Sequence, residues 1–222
     1  ISAISDRGGI TSEGVLAGFA EIATATTDIG VAMSGAELVF VVGPAYATSA
    51  LAADAAPHLR AGMTVVVCPG SCLGSLAFKR AAGLDLYDET VLVGETSTLP
   101  YAVRITGPAQ IHIFHRFDEG LFAAAAPRSA TPRLLATLRP VWPHIPEAAS
   151  VFQTALQNGN PVIHPAVTLL NAALIDRTGG DFNFYEDGVT TSTGRLMEAV
   201  DAERIAIANA LGVTILSEPA IG

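Results

Sequence analysis

Residues 36–45 read AELVFVVGPA, and this stretch decides the fold. Ala36 to Val42 is an unbroken apolar run closed by Gly43 and Pro44. A strand with one wet face would alternate, whereas an unbroken run predicts a strand covered on both faces, as in a parallel sheet. Working outward, the alanine-rich stretch from Tyr46 to Leu59 is patterned as a helix, interrupted late by Pro57. Gly62 precedes a second buried strand, Met63 to Cys68 (MTVVVC), which Pro69 and Gly70 end. A helix from Leu73 to Ala82 leads to a third strand, Thr90 to Val93 (TVLV), closing at Gly94. Strand, helix, strand, helix, strand with Gly or Pro at each strand end predicts the crossovers of a parallel α/β sheet. Upstream, Asp28 to Ser34 reads as a short helix. Ile1 to Thr27, punctuated by Gly8, Gly9, Gly14 and Gly18, offers no clean strand and reads as a connector within a domain.

Downstream the pattern changes. Ala102 to Thr106 and Gln110 to His115 alternate like an antiparallel edge hairpin joined by Gly107-Pro108. A helix is predicted from Thr131 to Leu138, with Thr131 as its cap and Pro132 at its first position. Pro140, Pro143 and Pro146 break the chain around Trp142, which puts the domain boundary near Ala148. Residues 149–222 read as helical: Ala149 to Leu156, a helix opened by Asn160, and a long one from Thr193 to Leu211 ended by Gly212.

The 222 residues are 50% apolar and 15% charged, enough for a buried core. A net charge of -9 with a single lysine, Lys79, excludes nucleic acid and anionic membrane as partners, since both require concentrated Lys and Arg. A small-molecule partner is expected. No apolar run is long enough to span a bilayer. Cys68 and Cys72 have no further Cys to build a metal site or a disulfide framework. They read as reduced thiols of a cytoplasmic protein.

Ligands of parallel α/β sheets bind at the carboxyl ends of the strands. Three segments therefore form the candidate rim: Val42-Gly43-Pro44-Ala45, Cys68-Pro69-Gly70-Ser71 and Gly94-Glu95-Thr96-Ser97. The second focus is Gln157 to Asn171, QNGNPVIHPAVTLLN. Asn158 and Gly159 stop a helix, Asn160 is a good N-cap and Pro161 suits the first helical position. His164 then falls in the first turns, beside Pro165, which cannot donate a backbone hydrogen bond and should bend the helix. A helix N-terminus disfavours imidazolium. A neutral, aimed imidazole suits a general base; a core histidine in an apolar helix is the plainer reading.

VVGPA (Val41 to Ala45), CPG (Cys68 to Gly70), GETSTLPYAVR (Gly94 to Arg104), NPVIHPAVTLLNA (Asn160 to Ala172), FYEDGVT (Phe184 to Thr190) and VDAERIAIANAL (Val200 to Leu211) occur in an order and spacing that resembles the opine dehydrogenases. The resemblance covers nearly the whole chain. It implies a Rossmann-type parallel sheet domain, here lacking its first strands, at residues 1–148, followed by the start of an all-helical domain at 149–222. It implies NAD or NADP as cofactor, and an α-amino acid and an α-keto acid as partners, joined by reductive condensation into a secondary amine dicarboxylate.

By the same resemblance His164 is the catalytic general acid/base. Val42, Gly43, Pro44, Ala45, Pro69 and Gly70 border the cofactor, Glu95, Thr96, Asn160 and Tyr185 border the substrate, and no metal is expected. A homodimer is the candidate assembly. The absent glycine-rich turn and the absent carboxylate partner of His164 are expected outside the 222 residues, which alone are expected neither to bind dinucleotide tightly nor to turn over.

Two readings stand beside this one. A 6-phosphogluconate-dehydrogenase-like reductase, of ketopantoate reductase or glycerol-3-phosphate dehydrogenase type, would share the folds but is expected to need a catalytic lysine, and Lys79 lies in a crossover helix. A catalytically incomplete binding fragment is the other. Arg104 reads as a surface residue of an edge strand, Asp201, Glu203 and Arg204 as a structural ion-pair face, and His112 and His115 as pointing to opposite sides of a strand.

Overall fold

The computed structural model describes residues 1–117 and 120–217. The chain divides into two compact units between Ala155 and Leu156; the sequence puts the change of pattern near Ala148. The elements of the first unit are α1 (Ser2–Arg7), β1 (Gly9–Gly14), β2 (Gly18–Glu21), α2 (Ile29–Met33), β3 (Leu38–Val41), α3 (Thr48–Ala55), β4 (Thr64–Val67), α4 (Gly74–Ala81), β5 (Leu92–Thr96), β6 (Tyr101–Gly107), β7 (Gln110–Arg116), β8 (Ala123–Ala126) and α5 (Thr131–Leu138). Helix α6 (Val151–Gln157) carries the division. The second unit holds α7 (Asn160–Leu170), α8 (Ala172–Thr178) and α9 (Thr191–Ala210).

The apolar runs form the expected parallel sheet. Its order is β3-β4-β5-β8, with β3, β4 and β5 parallel and β8 antiparallel to β5. Val65, Val66, Val67 and Val93 are essentially inaccessible because helices cover both faces. Met33, Ala52, Phe78 and Val93 pack on one face, and Leu134, Leu138, Trp142 and Ile145 on the other. Among the described residues β3 is an edge strand, with Phe40 and Val42 exposed and a hollow of ≈ 390 Å³ beside it.

Several expectations are corrected. Ile1 to Thr27 is no connector: it folds into α1, β1 and β2, and β1 pairs antiparallel with β2 and parallel with β7 in a second sheet, β2-β1-β7-β6. Gly9 is required there, since a Cβ would lie 2.2 Å from the Ala20 carbonyl oxygen. The third strand does not close at Gly94 but runs through it to Thr96. Here too a side chain is excluded, by Leu134 Cδ2 at 2.4 Å. The hairpin turns at Pro108-Ala109, with Ala109 at φ 55°, and of its two strands β6 lies at the sheet edge while β7 is interior, between β1 and β6. Thr131 is inside α5 and is not its cap; its Oγ1 accepts the Ala125 N–H at 3.0 Å, binding the helix to β8.

Candidate active-site segments

Parallel register brings the strand ends to one level. Val41 stands opposite Val67, and Val67 opposite Glu95, so Val42 to Ala45, Cys68 to Gly70 and Glu95 to Ser97 form one rim. Along it Val42 (60% exposed), Pro44 and Ala45 are open, and Pro69 is half-buried. These open positions fit a dinucleotide approaching the sheet edge. Gly70 is different. It is buried, and a Cβ there would lie 2.4 Å from Glu95 Cδ, so its missing side chain makes room for the Glu95 carboxyl.

Glu95 is 0% exposed. Its Oε2 accepts the Ser75 backbone N–H at 2.8 Å and the Ser75 hydroxyl at 2.6 Å, both from the first turn of α4. Its Oε1 lies 2.5 Å from Thr154 Oγ1, which is also 2.9 Å from the Val151 carbonyl oxygen. Thr154 Oγ1 donates to Glu95 Oε1 and also stands within reach of the Val151 carbonyl of its own helix. Burial pushes the Glu95 pKa up, against the hydrogen bonds from Ser75 and Thr154. Beside it, burial raises the Cys68 thiol, against the contact with Thr96 Oγ1 at 3.2 Å. Thr96 is itself buried, with its Oγ1 2.8 Å from the Thr98 carbonyl oxygen. Both cysteines are free thiols, Cys68 buried and Cys72 exposed.

In the second unit, α7 opens one residue earlier than expected. Asn160 is its first helical residue and not its cap; Asn158 Oδ1 accepts the Asn160 N–H at 3.0 Å. The helix continues through Pro165, burying Val162, Ala166 and Val167. His164 lies on the opposite, exposed face, which overturns the core-histidine reading. Its ring stands edge-on to Phe184 at 5.5 Å, and Phe184 packs in the same manner on Tyr185 at 5.1 Å. Tyr185 is 61% exposed and Asn160 is exposed. Asn171 Nδ2 donates to Val167 and Gly188 carbonyls, fastening the Phe184–Gly188 turn to the end of α7. Sequence reasoning missed the partners Ser75 and Thr154, because they lie 20 and 59 residues from Glu95 and no local pattern announces them.

Other candidates fall into structural roles. The Lys79 ammonium is buried and donates to the carbonyls of Asp85, Leu86 and Asp88 at 3.2, 3.1 and 2.5 Å. Arg104 is exposed on the edge strand and donates to the Val103 carbonyl. His112 packs at a tilt on Phe114 and His115 edge-on to Phe117, and no metal-binding group occurs among the described residues.

Residues 147–220 match the family described as NAD/NADP octopine/nopaline dehydrogenase, alpha-helical domain. An opine dehydrogenase of Arthrobacter sp. is 36% identical along 98% of this chain, which spans 60% of that relative. By sequence the chain is similar to an opine dehydrogenase over nearly its whole length. Among solved structures, an octopine dehydrogenase with NADH and pyruvate has a TM-score of 0.69 at 21% identity, covering 94% of this chain and 55% of its own. The PanE/ApbA-family ketopantoate reductase of Ralstonia eutropha has a TM-score of 0.67 at 18% identity, covering 100% of this chain and 67% of its own. Both likenesses establish the Rossmann-type fold that this chain shares with them.

Proposed function

We propose that the intact protein is an NAD(P)H-dependent opine dehydrogenase, in which His164 is the general acid/base. The observation that carries the reading is an exposed imidazole in the first half of α7, inside the segment that matches the octopine/nopaline dehydrogenase helical domain. An α-amino acid and an α-keto acid condense with loss of water, and the resulting C=N bond is reduced to a secondary amine. NAD(P)H, when bound, supplies the hydride. His164 accepts the proton that frees the amine lone pair for attack on the keto carbon; the oxygen takes a second proton from the nitrogen that has attacked, and His164 returns the first to it as it leaves as water.

Val42 to Ala45 and Pro69 hold the dinucleotide at the sheet edge, where ligands of such folds bind. Tyr185 and Asn160 flank the substrate. Glu95 and Thr96 stand behind this rim, buried, and set the position of the backbone they belong to. The ketopantoate reductase alternative is disfavoured, because the chain's one lysine is committed to three carbonyls. The test is NAD(P)H consumption by the intact protein with panels of amino and keto acids. Consumption that requires both substrates supports the proposal, and reduction of a keto acid without any amine contradicts it.

A further inference from the structure

Arg204 and Asp201 lie one turn apart on α9 and are both buried, Arg204 at 8% exposure. Nε and Nη2 of Arg204 donate to Asp201 Oδ1 at 2.9 and 2.5 Å. A buried ion pair by itself is weak evidence for stability, since desolvation offsets the attraction. The remaining donors are therefore the informative ones. Nη1 donates to the Leu156 carbonyl, and Nη2 donates to the Leu216 carbonyl at 2.8 Å. Leu156 belongs to the last turn of α6, where carbonyls lack helical partners. The next residue, Gln157, accepts the Leu216 N–H on its Oε1 at 3.0 Å, and the next, Asn158, accepts the Asn160 N–H that opens α7. Gln157 and Asn158 are buried. One guanidinium thus holds both strands of chain that meet at the α6–α7 elbow.

We propose that Arg204 is a positioning residue for His164. It fixes the elbow from which α7 departs, and so the direction in which the exposed imidazole points, without touching substrate. The proposal rests on the reading of His164 as the proton-transfer group. Arg204→Lys keeps a cation beside Asp201, but a single ammonium lacks the planar fork that reaches Asp201 and two carbonyls at once.

The test is a double-mutant cycle in the intact enzyme with Arg204→Lys, His164→Ala and the double variant, each first checked for a cooperative thermal transition. Displacing an aligned group by about 1 Å costs about 100-fold. Arg204→Lys is therefore expected to lower kcat by about 10- to 100-fold with KM changed less than about threefold, and to lower it no further in the His164→Ala background. It is also expected to shift the His164 Cε1–H resonance and leave those of His58 and His112 in place. A loss of equal size in both backgrounds, or an unshifted His164 resonance, overturns the proposal. An unchanged kcat in His164→Ala overturns the assignment of the base itself, a separate outcome. Should Arg204→Lys fail to fold, Asp201→Asn, which keeps an acceptor for the guanidinium, decides by the same cycle, with a smaller loss expected to vanish in the His164→Ala background.

Discussion

Glu95 Oε1 and Thr154 Oγ1 lie 2.5 Å apart, the hydroxyl donating to a carboxyl that is 0% exposed. A buried acid shared by α4, β5 and residue 154 ties the carboxyl edge of the sheet to the segment that follows the proline-rich crossing. Its pKa is raised in the fold by burial. The native state therefore binds the carboxyl proton at pH values where the unfolded chain has released it. The resulting stability is fully present below the unfolded glutamate pKa of about 4.3 and is lost as pH rises through the folded value. Glu95→Gln presents an amide donor to Thr154 and an acceptor to Ser75 with no proton to lose. Urea midpoints measured across pH should show Glu95→Gln gaining on the wild type as pH rises. A difference that is flat, or that moves the other way, would mean the carboxyl is ionised.

The close approach of Gly70 to the same carboxyl makes a steric prediction. Gly70→Ala puts a Cβ 2.4 Å from Glu95 Cδ, and Gly94→Ala puts one 2.4 Å from Leu134 Cδ2. Each should lower stability by about 1–3 kcal/mol, the usual cost of overfilling a packed site. In a Gly70→Ala, Glu95→Ala double variant the clash partner is gone, so the two losses should sum to more than the loss measured for the pair. Denaturant unfolding of the four proteins checks this.

Lys79→Met removes the donor to three loop carbonyls and should cost about 1–3 kcal/mol through those unsatisfied groups. It should leave kcat near the wild-type value, because the ammonium never reaches the strand ends. Thermal unfolding together with steady-state kinetics separates the two effects. Abolished turnover in a folded Lys79→Met protein would revive the lysine-dependent reductase.

The parallel sheet was legible because β3, β4 and β5 are buried on both faces and so carry unbroken apolar runs. β8 was not, since Ala123 to Ala126 is four alanines, a helix-favouring run that becomes a strand because it is fully buried beside β5 against Leu134 and Leu138. β1 and β2 escaped notice because they are short, with β1 half-exposed and β2 exposed throughout, and β1 finds its parallel partner about a hundred residues away in β7. His164 could be singled out from its flanking prolines, but not its exposed face, which depends on packing chosen by Val162, Ala166 and Val167. Asp201 and Arg204 were readable as an ion pair from their spacing on a helix. The two carbonyls that complete the Arg204 site come from Leu156 and Leu216, which no periodicity connects to it.

The central claim is tested most directly by the turnover of His164→Ala in the intact protein under saturating NAD(P)H, amino acid and keto acid. Because the imidazole is exposed, the variant should unfold at the wild-type temperature while kcat falls by about 10²- to 10⁴-fold, the usual contribution of a general acid/base. A folded His164→Ala protein with wild-type kcat would contradict the account.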